Sequence, residues 1–214
     1  MIDIQKSTHA HPIFQLLYLA LFSILGAVFF TIIGMAVYFV FFNVADFFTV
    51  MQNPMQDLAF LRCSQIGSSV GLFIAGPLAF AAIEKYQIKT YYQLHTPLRI
   101  PLLTLSVALL VFGMPLFEAV AALNQNMSLP EGLKGLEKWM RIKEDEAEML
   151  TMLLLKMDDY GDLLINLIMI ALIPAIGEEL MFRGALTNIF GRWIGNPHIV
   201  IWLTAIIFSA IHIQ

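Results

Sequence analysis

Five long apolar stretches, separated by polar joints, set the pattern of this chain: about Ile13–Phe42, Leu58–Ile83, Ile100–Leu123, Leu163–Phe190 and His198–Gln214. A membrane-spanning helix needs roughly 20 mostly apolar residues. The first stretch is long enough to tilt or to begin in the interface. It is also longer than the core of about 7–15 residues in a cleavable signal, so it reads as a retained span. The fifth is short for a full span. The second carries Gly67-Ser-Ser-Val-Gly71 and Gly76, a spacing that lets helices approach closely, either as ordinary packing or as a dimer seam. The pattern predicts an all-α, polytopic transmembrane helix bundle with about five membrane segments.

The one long polar joint runs from Asn124 to Gly161. Ser128-Leu-Pro-Glu131 reads as a capping box with proline in the first turn. After it Leu133, Leu136, Met140, Ala147, Leu150, Leu154 and Met157 recur at three-four spacing, broken at Lys143. This predicts an amphipathic extramembrane helix within 124–161 that lies on the membrane surface, packs over the bundle, or is a plain surface helix. Without internal repeats or low-complexity linkers, residues 1–214 read as one membrane domain.

Composition sharpens the class. The chain is 59% hydrophobic and 13% charged, against about 25% charged in ordinary soluble domains, and its mean hydropathy is +0.77. It reads as an integral membrane protein whose partner is the lipid bilayer. A net charge of -4 leaves no basic footprint for nucleic acid. One cysteine, Cys63, excludes an internal disulfide framework and a multi-cysteine zinc site, and reads as a packing residue. Lys85, Lys89 and Arg99 lie between spans two and three, and Arg192 between spans four and five. Asp46 and Asp57 mark the first loop, with Arg62 near its far end. Lys/Arg bias then favours a cytoplasmic N-terminus.

Candidate chemistry sits in the fourth stretch. Glu178-Glu179 is a pair of carboxylates inside an apolar segment, where ionisable residues are expensive and mark function. Arg183 follows Glu179 by one helical turn and would pair with it. Glu178 points about 100° away. It is then the freer carboxylate, its ionisation opposed by desolvation and by its neighbour, and a candidate general base. Pro174 removes a backbone donor and frees the carbonyl of Ile170, which predicts a kink with room for water beside Glu178. On the fifth stretch, Phe208-x-x-x-His212 places an imidazole one turn beyond an aromatic ring that either walls a pocket or packs in the core. A tight turn over Gly191–Pro197 makes the two segments antiparallel neighbours and brings Glu178 and His212 to matching depth within about one turn.

At these residues the chain resembles the CAAX protease and bacteriocin-processing family, the Abi membrane endopeptidases, of the CAAX prenyl protease 2 type. Glu-Glu-x-x-x-Arg is matched by Glu178, Glu179 and Arg183, and Phe-x-x-x-His by Phe208 and His212. The resemblance covers about Leu163–Gln214. It implies an intramembrane endopeptidase whose site lies in a cavity between helices. Glu178 and His212 would activate a water for attack on a peptide carbonyl, while Glu179 and Arg183 hold the motif together. The implied partner is a peptide or protein substrate at the membrane, prenylated or of the bacteriocin-leader type, and the implied setting is a bacterial plasma membrane. A metal-free mechanism is expected, with zinc as the alternative. The family also carries a later His followed four residues on by Asn or Asp, which binds the oxyanion. The chain shows none before Gln214, so it is expected to be the N-terminal part of a longer protease and to be inactive alone. The competing expectations are a non-catalytic immunity or scaffold protein, and part of a proton-coupled transporter.

Overall fold

The computed structural model describes residues 9–42, 47–95, 97, 99–126 and 128–212. Asp46, named above as a marker of the first loop, lies outside them, as do the last two residues of the fifth stretch. Every regular element among the described residues is helical, as backbone surrounded by lipid requires. The helices are α1 (Pro12–Phe41), α2 (Phe47–Gln52), α3 (Leu58–Ile83), α4 (Ile88–Tyr91), α5 (Ile100–Asn126), α6 (Lys134–Leu154), α7 (Tyr160–Ile194) and α8 (Pro197–His212). α1, α3, α5 and α7 are long and apolar enough to cross a membrane, and α8 is a shorter apolar helix. All five expected segments are therefore helices. The chain divides into two compact units, residues 1–94 with 150–214, and residues 95–149.

In the first unit α1 and α3 lie backbone against backbone. A Cβ added at Gly34 would strike the carbonyl oxygen of Cys63, and one at Gly67 would strike that of Phe30. The glycines of α3 are thus an intramolecular packing seam. Asp57 caps α3, accepting from Phe60 N–H at 2.9 Å, and also accepts from the Tyr38 hydroxyl near the end of α1. Past Ile83 the chain turns back through Lys85 in the left-handed region (φ 59), where Tyr86 N–H donates to the Ala81 carbonyl at 2.8 Å. This is the six-to-one bond of a Schellman ending.

Three π-helical stretches interrupt the long helices: Gly71–Ala75 in α3, and Leu167–Leu172 and Glu179–Leu186 in α7. The first two each end just before a proline, Pro77 and Pro174. Proline's ring clashes with the carbonyl four residues back. A wider turn relieves this, and Ile173 N–H donates to Ile168, five residues back. The expected disruption at Pro174 takes the form of a π turn upstream of it. The third stretch falls on the candidate motif, in keeping with the frequency of π turns at functional sites.

In the second unit α5 carries Pro115 inside it and shows apolar side chains exposed along its length. α6 is entered through Pro130 and a 3-10 turn, Glu131–Leu133. The capping box expected at Ser128 is replaced by a longer reach: Glu137 accepts from Leu129 N–H at 2.9 Å and pairs with Arg141 at 3.0 Å. Those partners, the backbone amide first, hold the Glu137 carboxyl below its ordinary value. The helix is amphipathic as expected, with Leu133, Leu136, Trp139 and Ile142 exposed.

Candidate functional site

α7 carries the Glu-Glu-x-x-x-Arg motif, and polar groups between helices pin it at both ends. At its start, Asp159 accepts from Asp162 N–H at 2.9 Å. Buried Arg62 on α3 donates to the Asp162 carboxylate, to the Lys156 carbonyl and, at 3.3 Å, to the Leu154 carbonyl. A buried guanidinium left without such partners would cost several kcal/mol, so these bonds fix where α7 begins. At the far end Arg192 donates to the side chain of fully buried Gln15 on α1. Gln15 donates in turn to Glu84 at 2.5 Å and to the Tyr86 hydroxyl at 3.0 Å. The Arg192 guanidinium lies 5.3 Å from the centre of the Tyr86 ring, a cation–π distance.

Between the pins the helix faces are set by packing. Gly177 sits where a Cβ would meet Phe73 of α3, and Gly184 where one would meet the ring of Tyr92. Tyr92 donates its hydroxyl to the Pro77 carbonyl at 2.6 Å, and Asn188 donates to the Tyr91 carbonyl at 3.1 Å. The segment Tyr91–Leu94 is thereby seated on α7. Burial pushes the Tyr91 and Tyr92 phenols above their ordinary range, so both stay protonated as donors.

Two cavities flank the motif. One, of about 550 Å³, lies between α7 and α8 and is lined by Glu178, Glu179, Phe182, Arg183, Thr204 and Phe208 among others. The other, of about 500 Å³, lies between α7 and the Tyr91–Leu94 segment, and Glu179 and Arg183 line it too. The Glu179–Arg183 ion pair forms as the spacing predicts, at 2.9 Å, with the side chains 55% and 80% exposed. It is a ridge between two cavities rather than a pair sealed in a core. The turn into α8 is closed by Gly195 in the left-handed conformation (φ 71), and by Asn196, whose side chain accepts from His198 N–H at 3.0 Å. α7 and α8 become neighbours, and Phe208 meets Phe182 edge-to-face at 4.9 Å.

The structure thus brings four of the five motif residues, Glu178, Glu179, Arg183 and Phe208, to one cavity. Ile201, Thr204 and Phe208 make one stripe of α8, and His212 is the next position on that stripe. The His212 side chain lies outside the described residues. Sequence reading missed Thr187 and Thr204, which line this cavity, and the Tyr91–Leu94 wall. Thr204 gives no outward signal, since its hydroxyl donates to the Val200 carbonyl of its own helix at 2.9 Å. The wall had one: Tyr86, Tyr91 and Tyr92 crowd the joint after the second span. Among the described residues no three His, Cys, Asp or Glu side chains converge on a point that could hold a metal ion.

No curated protein and no solved structure shows a match to this chain. Residues 160–214, which hold both motifs together with α7 and α8, match the family model of the type II CAAX prenyl endopeptidases, Rce1-like. It is over this segment of an integral membrane chain, and at the residues that line the α7–α8 cavity, that the protein is similar to that family of membrane proteases.

Proposed function

We propose that the full-length protein is an intramembrane endopeptidase that hydrolyses peptide bonds of membrane-associated or secreted peptides, and that Glu178 and His212 carry the chemistry. The supporting observation is the cavity between α7 and α8 that Glu178, Glu179, Arg183 and Phe208 share. In this reading Glu178 takes a proton from a water molecule as the water oxygen bonds to the scissile carbonyl carbon. The C–N bond then breaks and the proton passes to the leaving amine. His212, one turn beyond Phe208, orients the water, and Arg183 holds Glu179 so that the two carboxylates do not compete for one position. General-base catalysis of this kind contributes about 10²–10⁴ in rate. Glu178→Gln is therefore expected to lower cleavage of a membrane-proximal peptide by at least about 10²-fold while leaving the detergent-solubilised fold intact. Cleavage at the parent rate by a folded Glu178→Gln protein would remove the assignment and leave the immunity or scaffold reading.

The same reading places the protein in a bacterial plasma membrane with its N-terminus in the cytoplasm and α6 outside the bilayer core. The polar network supports the orientation, because it gathers Gln15, Glu84 and Arg192 at one end of the first unit, next to Lys85 and Lys89. Basic residues collect on the cytoplasmic side. Reporter fusions after Leu94 and after Gly195 are expected to report the cytoplasm, and a periplasmic signal from both would reverse the orientation.

A further inference from the structure

The second cavity is used by nothing in the proposed hydrolysis. It lies on the face of α7 formed by Ala175, Ile176, Leu180 and Gly184, and is closed on the far side by Tyr92 and Leu94. The Glu179–Arg183 ridge separates it from the cavity that holds Glu178, and the ridge is common to both. From these observations we infer that the second cavity is the specificity subsite of the protease, taking a large apolar side chain of the substrate two to three residues from the scissile bond. The inference rests on the proposed endopeptidase reading.

Three arguments lead there. The first is chemistry: the lining is aliphatic and aromatic, while its charges, Glu179 and Arg183, already satisfy each other across the rim at 2.9 Å. A polar or charged side chain would find little to replace its water there, and an apolar one would lose none. The second is size: about 500 Å³ lies within the range of about 300–1,000 Å³ for specific ligand pockets and holds one leucine or phenylalanine side chain with room to spare. The third is reach. Two faces of a helix about 100° apart on a radius of about 5 Å are separated by about 9 Å of arc. An extended peptide advances about 3.3 Å per residue. A chain with its scissile carbonyl beside Glu178 therefore passes over the ridge and offers its second or third neighbouring side chain to the other cavity.

The wall is built to keep its shape. Tyr92 is buried, bonded to Pro77 and in contact with Gly184, so the pocket does not depend on substrate to form it. Ala175 and Ile176 are the residues whose size sets its floor. Ala175→Phe should fill the cavity, and Ile176→Ala should enlarge it.

The test is a competition between membrane peptides that differ only at one of the three positions on either side of the scissile bond, with alanine, leucine, phenylalanine or aspartate there. The full-length protein is expected to favour the large apolar residue at one position by about 10- to 200-fold, the range that hydrophobic pockets achieve for small changes in side-chain size. Ala175→Phe should erase that preference while cutting the alanine peptide within a few-fold of the parent. Ile176→Ala should shift it from leucine towards phenylalanine. Preference unchanged in Ile176→Ala overturns the subsite even if Ala175→Phe fails to fold. A measurement free of catalysis uses Glu178→Gln protein and a peptide bearing a benzophenone side chain at the preferred position. Labelling within residues 91–94 supports the subsite, and labelling confined to residues 201–208 overturns it. A diazirine phospholipid that labels residues 91–94 and is not displaced by excess peptide would assign the cavity to lipid, and would also overturn it. A Glu178→Gln protein that cleaves at the parent rate would instead remove the protease reading itself, so the two failures are distinct.

Discussion

The two compact units use the same apolar alphabet to different ends. In residues 1–94 with 150–214, polar atoms are spent between helices distant in sequence: Arg62 with Asp162, Gln15 with Glu84 and Arg192, Tyr38 with Asp57. In residues 95–149 the polar contacts run between near neighbours, such as Lys134 with Glu131, Arg141 with Glu137 and Lys143 with Glu146, while apolar side chains such as Phe112 and Trp139 stay exposed. The first arrangement specifies how helices meet. The second only supports each helix by itself. In a bilayer, where apolar contact with lipid is as good as apolar contact with protein, placed polar groups and close backbone approach decide which helices associate. The motif lies in the unit that has both.

The largest test of this contrast is Arg62→Ala. It leaves Asp162 and two carbonyls without their donor, and breaking a buried pair costs about 3–5 kcal/mol. The expected result is a lower unfolding midpoint in detergent together with loss of peptide cleavage, because the start of α7 is released. The double change Arg62→Met with Asp162→Leu should recover much of that loss of stability, since an apolar pair of similar volume carries no unpaired charge. Next is Gly67→Ala, whose new methyl would strike the Phe30 carbonyl oxygen. Overpacking costs about 1–3 kcal/mol, and the thermal midpoint should fall. Its counterpart in the other unit is Gly135→Ala, where a Cβ meets nothing within 4 Å. There the change should raise helix stability by up to about 0.5–1 kcal/mol, so the same substitution carries opposite signs in the two units. A fall at both positions would break the comparison.

The smallest effect is electrostatic. The Leu129 N–H and then Arg141 hold the Glu137 carboxyl below its ordinary value. A depressed carboxyl contributes stability that is whole above its unfolded value and is lost as pH falls through the folded one. Amide exchange at Leu129 should therefore be slow at neutral pH and speed up in acid below the ordinary carboxylate range. Arg192, in the other unit, should keep its contact with Gln15 over the same interval, which nuclear magnetic resonance of the Gln15 side-chain amide can follow.

Much of this was legible in the chain. Helix existence and length follow from apolar run length, because the bilayer leaves the backbone few other options. The Glu179–Arg183 pair follows from turn spacing alone. What resisted reading depends on partners far away in sequence. Arg62 looked like a loop charge, yet its guanidinium reaches a carboxylate one hundred positions on. Gly67 announced a close approach, but not that α1 lay on the other side of it. The π stretches arise from packing and from prolines acting on the turn before them, and no residue type spells them. The capping box at Ser128 matched a local pattern, but Glu137 offered Leu129 N–H a stronger acceptor one helix turn further in.

The seam between α1 and α3 also has a consequence for biosynthesis. Both helices, and all the glycines that let them touch, are complete once residue 83 has left the ribosome. The motif helix begins some eighty residues later. Chains emerge and fold from the N-terminus first, so the first two spans can pair in the bilayer before any ionisable residue of the motif exists. Glu178 and Glu179 would then be delivered to a wall that already carries Arg62 and Gln15, and two carboxylates that are costly in open lipid enter the membrane beside prepared neighbours.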